Sequence, residues 1–564
     1  MSCAVNTSRK QKTISSTLWA AYGDILGFPT ELASASMVRQ RLGTSVSNHS
    51  AAWRRLVGGR FGAQVDLCPG AYSDDTQLRL ATSRSIGPDG FFDVESFAKV
   101  ELPVWLSYSL GAGRGSKAAA SALSDRSVNW FSNFYATNGL EYVNGGGNGA
   151  AMRIQPHVWA AQNLADERTI LISVLRNAIS THGHIRGIAG AMVHAIALAR
   201  IFRHEKFPSP NEWSDFADVI RTIPELVALD SELSAFWLPT WERLSGIDIG
   251  LATARVADEW IECVNDASNH LSGSPIDAYT RVVKALGGLT DVERGSGLKS
   301  ALFSLVACWV FRDSGPKKCI EAIANYLESD TDTIGTMAGA LFGAMPNQVS
   351  PDDTIQDRDY LEAEAVRLFE VSQRTSLADR FPYPDLLYWQ PPKTVLDCVG
   401  SANGNFELAG FGGLSALSEE FEATQKGTVW QWFQLDFGQT IVCKRRLSPK
   451  ALSITNSKVT ASKQMKSNES RSSMDDRDKL ASPPRGNDLF TTTTTPVRHS
   501  IAADPEAPIS LDQLTDSVIR SNFEPSTIGQ ALLRICNEEN AIELSLAFSA
   551  IIVKARRARM RKGL

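Results

Sequence analysis

The chain has 564 residues, more than one ordinary core fills, so two or more domains are expected. Its composition, 43% apolar and 21% charged, is that of a soluble globular protein, and a net charge of −5 at pH 7 gives no global pull towards nucleic acid or an acidic partner. Eight cysteines are scattered without a Cys-x-x-Cys pair, which argues against a zinc ribbon or a disulfide framework and fits a reducing compartment.

Residues 1–12 are polar and are expected to be disordered. They contain no apolar h-region, so no signal peptide is expected. No run reaches the roughly 18 apolar residues that a membrane span needs. The longest candidate, Ala541–Val553, is shorter and includes Glu543. A soluble, cytoplasmic protein is the expectation.

Ile14–Leu26 reads as a helix, with Ser15 or Ser16 as its cap and Leu18, Ala21, Tyr22 and Ile25 on one face. It carries Gly23-Asp24 and stops at Pro29, just before Glu31. Residues 43–62 look like a loop leading to Tyr72-Ser73-Asp74-Asp75-Thr76-Gln77, directly ahead of the apolar run at Leu78. A hydroxyl followed by two carboxylates is an ordinary helix N-terminus, and it is equally a hard-oxygen cluster suited to a divalent cation. A second such cluster, Ser329-Asp330-Thr331-Asp332-Thr333, also precedes a small-residue apolar run and shifts the balance towards metal.

From 78 to 135 the pattern is helical, with breaks at Gly87–Gly90 and around 111–115. The run Asn144 to Gly149 then leads into Ala150-Ala151-Met152-Arg153, which reads either as a flexible loop or as bare amides converging on a helix start to hold a phosphate. Thr181-His182-Gly183-His184 precedes a helix over Ile188–Ile201 whose small residues predict a tightly packed, central position. Helix-start capping is preferred over zinc for the His-x-His pair, since no cysteine stands nearby. Further helices are predicted over Leu298–Val310, Cys319–Leu327, Ile334–Met345 and Asp359–Ser376, with almost no strand alternation before 376.

Beyond residue 380 the pattern changes. Val395–Phe411 and Val429–Val442 show partial period-two alternation, which predicts a small β-containing appendage over 381–444, with Trp430 and Trp432 expected to pack onto the helical body in preference to forming a binding face. Residues 445–508 are Ser-, Thr-, Lys- and Pro-rich and read as a disordered linker. A helical C-terminal unit over 509–564 follows, its partner unknown, ending in a basic tail that reads first as a solvated tail and second as a contact for nucleic acid or anionic lipid.

These motifs together resemble the ADP-ribosylglycohydrolase family of the dinitrogenase-reductase-activating type. Gly23-Asp24-Ile25-Leu26-Gly27 with Glu31 looks like its Gly-Asp-x-x-Gly opening, and Tyr72–Gln77 like its Thr-Asp-Asp-Thr motif. Gly147-Asn148-Gly149-Ala150-Ala151-Met152-Arg153 looks like its Gly-Asn-Gly-Ser-Ala-Met-Arg loop, Thr181–His184 like its Thr-His-x-His, and Asp330–Ile334 like its closing Asp-Thr-Asp-Thr. Ser73 replaces a Thr and keeps the hydroxyl; Ala150 replaces a Ser and loses one.

The resemblance implies an all-α, compact orthogonal multi-helix catalytic domain over 13–380 that hydrolyses the glycosidic bond between ADP-ribose and a modified protein side chain, arginine favoured, or a related conjugate. It implies two Mg²⁺ ions, or Mn²⁺, held by Ser73, Asp74, Asp75, Asp330, Asp332 and Thr333. Asp75 and Glu31 would handle the water and the proton, and Gly147, Asn148, Gly149, Ala150, Met152 and His182 would bind substrate. Two alternatives are a catalytically silent ADP-ribose reader, and a toxin-neutralising immunity or scaffold protein acting through its C-terminal region.

Overall fold

The computed structural model describes residues 2–137, 139–376, 378–386, 388–402, 404–453, 456, 510–538 and 541–561. The linker predicted over 445–508 begins too early, since Arg445 and Arg446 complete the strand Thr440–Arg446 and Arg445 is buried; from 454 onward it lies outside the described residues, apart from 456. Two units are distinguished, Met1–Val227 with Trp237–Lys463, and Ala228–Phe236 with Gln464–Leu564.

In the first unit, glycine spacing decides which helices come together. The opening helix, Ser2–Gly27, lies against the helix Thr331–Gly343, whose Gly335, Gly339 and Gly343 fall on one face at steps of four. A Cβ on Gly23 would stand 2.1 Å from the Gly335 carbonyl oxygen, and one on Gly27 would stand 2.4 Å from Asp332 Cα. Gly339 and Gly343 face the Trp19 and Ser15 carbonyls as closely. Hydroxyls tie the seam: Thr336 Oγ1 donates to the Ala20 carbonyl at 2.7 Å, and Ser16 Oγ to the Ala340 carbonyl at 2.7 Å.

Two expectations change here. Helix begins at Ser2, so residues 2–12 belong to it, and Ser15 and Ser16 are not caps but buried residues of its middle. The central helix runs over Ile185–His204 and meets Gly297–Val310 through Gly190, where a Cβ would fall 2.2 Å from the Gly297 carbonyl oxygen. By length and composition alone Ile185–His204 is long and apolar enough to cross a membrane, although Arg186, His194 and Arg200 interrupt its apolar run; it lies buried in the protein.

The described β structure begins earlier than predicted. Residues 43–62 are not all loop: Trp53–Val57 pairs antiparallel with Ala63–Leu67, Trp53 opposite Leu67 and Val57 opposite Ala63. The first strand, with Arg54 and Arg55 adjacent, carries no alternation, while Ala63-Gln64-Val65-Asp66-Leu67 alternates strictly in sequence and in burial. The larger sheet runs in the order Thr440–Arg446, Thr428–Leu435, Gly412–Ala416, Asn405–Leu408, Val399–Ala402, all antiparallel, with Phe421–Glu422 beside the second strand. Trp430, Trp432 and Val442 share one apolar cluster with Phe28, Trp53, Val57, Val65 and Leu67. The two tryptophans therefore pack inward, as expected.

A buried ion pair fixes this sheet to the helices. Arg84, at the end of the helix Asp74–Arg84, donates to both oxygens of Glu101 at 2.8 Å and to Gln439 Oε1 at 2.7 Å. Phe381, Phe411 and Phe437 surround its guanidinium.

In the second unit the helices Leu511–Arg520, Pro525–Ile535 and Ala541–Arg561 enclose Leu514, Val518, Phe523, Ile535, Phe548 and Ile552. Mainly helical secondary structure with a small sheet towards the C-terminus matches the predicted fold class.

Candidate active site

A helix start leaves four amides without intrahelical partners, and how this chain satisfies them decides what its acids are free to do. Ser73 is the N-cap of Asp74–Arg84, its Oγ accepting from the Asp75 amide. Asp24, reaching across from the opening helix, accepts from the Ser73 amide at 2.9 Å, the Thr76 amide at 2.9 Å and Thr76 Oγ1 at 2.6 Å. Asp24 thus takes over the capping work, and the side chains of Asp74 and Asp75 are spared it. The cap and cation readings of Ser-Asp-Asp are compatible.

The second helix start is brought alongside by the glycine seam. Asp330 is the N-cap residue of Thr331–Gly343 but makes no side-chain capping bond. Thr331 Oγ1 donates to the Gly27 carbonyl at 2.9 Å. Asp332 Oδ1 accepts from the Thr333 amide, and Thr333 Oγ1 reaches Asp75 Oδ2 at 3.4 Å, so residues 258 apart in sequence meet. Ser73 Oγ also contacts Asp75 Oδ2, while Asp75 Oδ1 is buried with no hydrogen-bond partner.

These acids sit where ionisation is costly. Burial, then the charges of Glu31 and Asp24, push the Asp74 carboxyl well up. Burial, then Asp24, Asp74 and Asp330, do the same to Asp75, and burial with Glu31, Asp75 and Asp330 to Asp332. Arg79 beneath them is bonded to Thr76 Oγ1 and Thr336 Oγ1, and its charge offsets only part of this repulsion.

The donors are hard oxygens of the kind that hold Mg²⁺ or Mn²⁺, and the orphaned Asp75 Oδ1 is a lone pair awaiting a partner. By chemistry, then, Ser73, Asp74, Asp75, Asp330, Asp332 and Thr333 fit a divalent cation. Among the described residues no group of three or more His, Cys, Asp or Glu side chains is drawn together so as to hold a metal ion as it stands.

Glu31 lies nearer the surface, its side chain 18% exposed, with Oε2 3.7 Å from Arg55 Nη2. Burial pushes its carboxyl up to about 7, against the pull of Arg55 and with the help of Asp330.

The glycine loop adds a second wall. Asn148 is not a bare amide, because its N–H donates to the Gly295 carbonyl at 3.0 Å. Its side chain bridges Ser300 Oγ and Asp330 Oδ2, at 3.0 and 2.9 Å, tying the loop to the acid cluster. A Cβ on Gly147 or Gly149 would meet His182 Nε2 at 3.7 or 3.3 Å. His182 Nδ1 is held by Thr181 Oγ1 at 2.7 Å, which aims Nε2 at the loop, and burial with the Arg153 charge pulls the ring down to about 3, keeping it neutral. Ala150 and Met152 are buried, and Arg153, bonded to Asn177, Thr181 and the Gly149 carbonyl, braces the loop. His184 is the N-cap of the central helix, accepting from the Arg186 amide.

All predicted site residues therefore fall in one region built from the two helix starts, the glycine loop and the Thr181–His184 turn. Sequence reasoning missed the roles of Asp24 and Arg55. A lone acid among apolar helix residues, followed by Gly27, is the trace that Asp24 leaves in the sequence; Arg55 leaves none.

The family model described as ADP-ribosylglycohydrolase matches residues 6–378. The ADP-ribosyl-(dinitrogen reductase) glycohydrolase of Rhodospirillum rubrum is 28% identical over 189 residues, 32% of this chain and 57% of that protein. The chain thus spans little more than half the length of that relative. A protein of Escherichia coli (strain K12) described as uncharacterized protein YegU is 26% identical over 334 residues, 58% of this chain and 84% of that protein. A solved structure described as an ADP-ribosylglycohydrolase-related protein complex shares 21% identity, with a TM-score of 0.37, covering 65% of this chain and 99% of that chain.

Proposed function

The chain belongs to the ADP-ribosylglycohydrolase family, and on that premise we propose that it hydrolyses the glycosidic bond between ADP-ribose and a modified protein side chain, with arginine as the favoured leaving group. One observation carries the reading: two distant helix starts bury Ser73, Asp74, Asp75, Asp332 and Thr333 together without enough cationic side chains to balance them.

Ser73, Asp74 and Asp75 from one helix and Asp330, Asp332 and Thr333 from the other would hold two divalent cations, Mg²⁺ being preferred and Mn²⁺ an acceptable substitute. Bound there, such ions supply Lewis-acid polarisation and neutralise the clustered carboxylates. Asp24 fixes the first helix start, so that Asp74 and Asp75 keep their geometry. Glu31, nearer the surface, would pass a proton to the leaving nitrogen or take one from water. Asp75 lies deeper and its charge favours the cationic, oxocarbenium-like transition state. His182 Nε2 and the loop Gly147–Gly149 form the wall on which the diphosphate is proposed to rest.

The test is release of free ADP-ribose from ADP-ribosyl-arginine protein with Mg²⁺ and with EDTA, for the wild type and Asp332→Ala. Metal-dependent release that disappears in the variant supports the reading. No release, with ADP-ribose still bound, means a reader, and release only from other linkages removes the arginine assignment.

A further inference from the structure

Residues 32–65, which follow Glu31 and return to it through Arg55, contain five arginines (Arg39, Arg41, Arg54, Arg55 and Arg60) and no aspartate, glutamate or lysine. Only Arg54 is neutralised within the hairpin, by Asp66 at 2.6 and 3.0 Å. The Arg41 and Arg55 guanidiniums both lie over Trp53, 5.5 and 5.7 Å from its centroid, and Arg55 also lies 4.5 Å above Phe28. Arg41 donates to the Pro29 carbonyl, which holds it beside the loop carrying Glu31.

Arg55 is incompletely satisfied. Its Nη2 stands 3.7 Å from Glu31, beyond hydrogen-bond range, and its Nη1 is buried with no acceptor. A desolvated guanidinium N–H without an acceptor is costly, and the fork geometry matches a carboxylate. Arg39 and Arg60 extend the positive charge outward from this point, both exposed. Single-strand nucleic-acid binders line such a surface with several exposed aromatic platforms. Here Trp53 is only 6% exposed, and Phe61, at 60%, stands alone. That difference favours a peptide over a nucleic acid.

We propose that Arg55 and Arg41, flanked by Arg39 and Arg60, form a docking surface for acidic residues next to the modified side chain, so that the enzyme selects ADP-ribosylated proteins with carboxylates around the linkage. This rests on the hydrolase reading for its meaning, but the surface is testable by itself. The cluster on Trp53 would receive the first flanking carboxylate, and the outer arginines the more distant ones.

The probe is a fluorescein-labelled twelve-residue peptide of alternating Glu and Ser, titrated with the full chain and read by anisotropy at two salt concentrations. The expectation is salt-dependent binding that weakens roughly tenfold in Arg41→Gln/Arg55→Gln and recovers in part in Arg41→Lys/Arg55→Lys, with melting temperatures confirming that each variant folds. In the wild type, kcat/KM for a conjugate with acidic flanks should exceed that for one with Gln flanks by a similar factor. No peptide binding, equal binding to the Gln variant, or tighter binding of a twelve-nucleotide oligo-dT than of the peptide would overturn the proposal. ADP-ribose release from no conjugate, with peptide binding still following the arginines, would overturn the reaction and support the surface.

Discussion

The two ends of the helix Asp74–Arg84 bury charge in opposite ways. At its C-terminal end, Arg84 meets Glu101, Gln439 and three aromatic rings, and every charge has a partner. At its N-terminal end, Asp74 and Asp75 meet Asp332, Glu31 and Asp24, and Asp75 Oδ1 has no partner at all. Burial of an ion is tolerated in a protein core when it is paired and hydrogen-bonded. The paired end therefore needs no function to explain it, since it anchors the sheet. The unpaired end is destabilising as it stands, and a chain that keeps it has a use for it.

Substitutions at the two ends should separate these roles. The largest effect is expected for Asp332→Ala, which should cost a thousandfold or more in kcat, on the order of 4 kcal/mol of transition-state stabilisation. Its melting temperature in EDTA should be unchanged or raised, because a source of repulsion is gone. A clear fall in melting temperature there would contradict the contrast.

Arg84→Met should do the reverse. Removing one partner of a buried pair typically costs about 3–5 kcal/mol, and denaturant unfolding should register that loss. The double substitution Arg84→Met/Glu101→Leu should recover part of it, because no unpaired charge remains.

A third expectation concerns pH. Burial, followed by the Arg153 charge for His157 and the Arg79 charge for His194, lowers both imidazoles from 6.5 to about 3. Their folded values lie below the unfolded one, so their neutral burial costs nothing above pH 6.5. Below it the unfolded chain takes up protons that the folded chain refuses, and stability falls until about pH 3. At pH 4.5 the loss approaches about 2–3 kcal/mol per histidine. Urea titrations at pH 7.5 and 4.5 should show this fall, and His157→Gln should shrink it.

Thr76→Val should have the smallest effect. It removes the hydroxyl that bridges Asp24 Oδ2 and Arg79 Nη2, at 2.6 and 2.7 Å. A stability loss of about 1–2 kcal/mol is expected, with roughly a tenfold drop in activity as the Asp74 helix start loosens. Unchanged activity would mean that Asp24 holds the start through the Ser73 and Thr76 amides alone.

Much of this candidate site is legible in the sequence. Ser-Asp-Asp and Asp-Thr-Asp-Thr each stand at a helix start because local chemistry puts them there, and hydroxyl and carboxylate oxygens in that number suit a hard cation wherever they meet. The small residues over Ile188–Ile201 predicted a tightly packed, central helix, and Ile185–His204 is buried along most of its length. The Trp53–Leu67 hairpin was hidden, because Arg54-Arg55 breaks the alternation of its first strand and Gly58, Gly59 and Gly62 between the strands read as a loop.

What the sequence by itself determined was the kind of residue at each position and the local element that carries it. Only the tertiary structure decided which charges are compensated. Periodicity reports whether a side chain faces inward, a property of one segment. Whether Arg84 finds Gln439, Asp24 finds Thr76, or Asp75 finds Thr333 depends on contacts 355, 52 and 258 residues apart, and no local pattern encodes those. Partnership across the fold separates a buried charge that braces the structure from one that is held ready for chemistry.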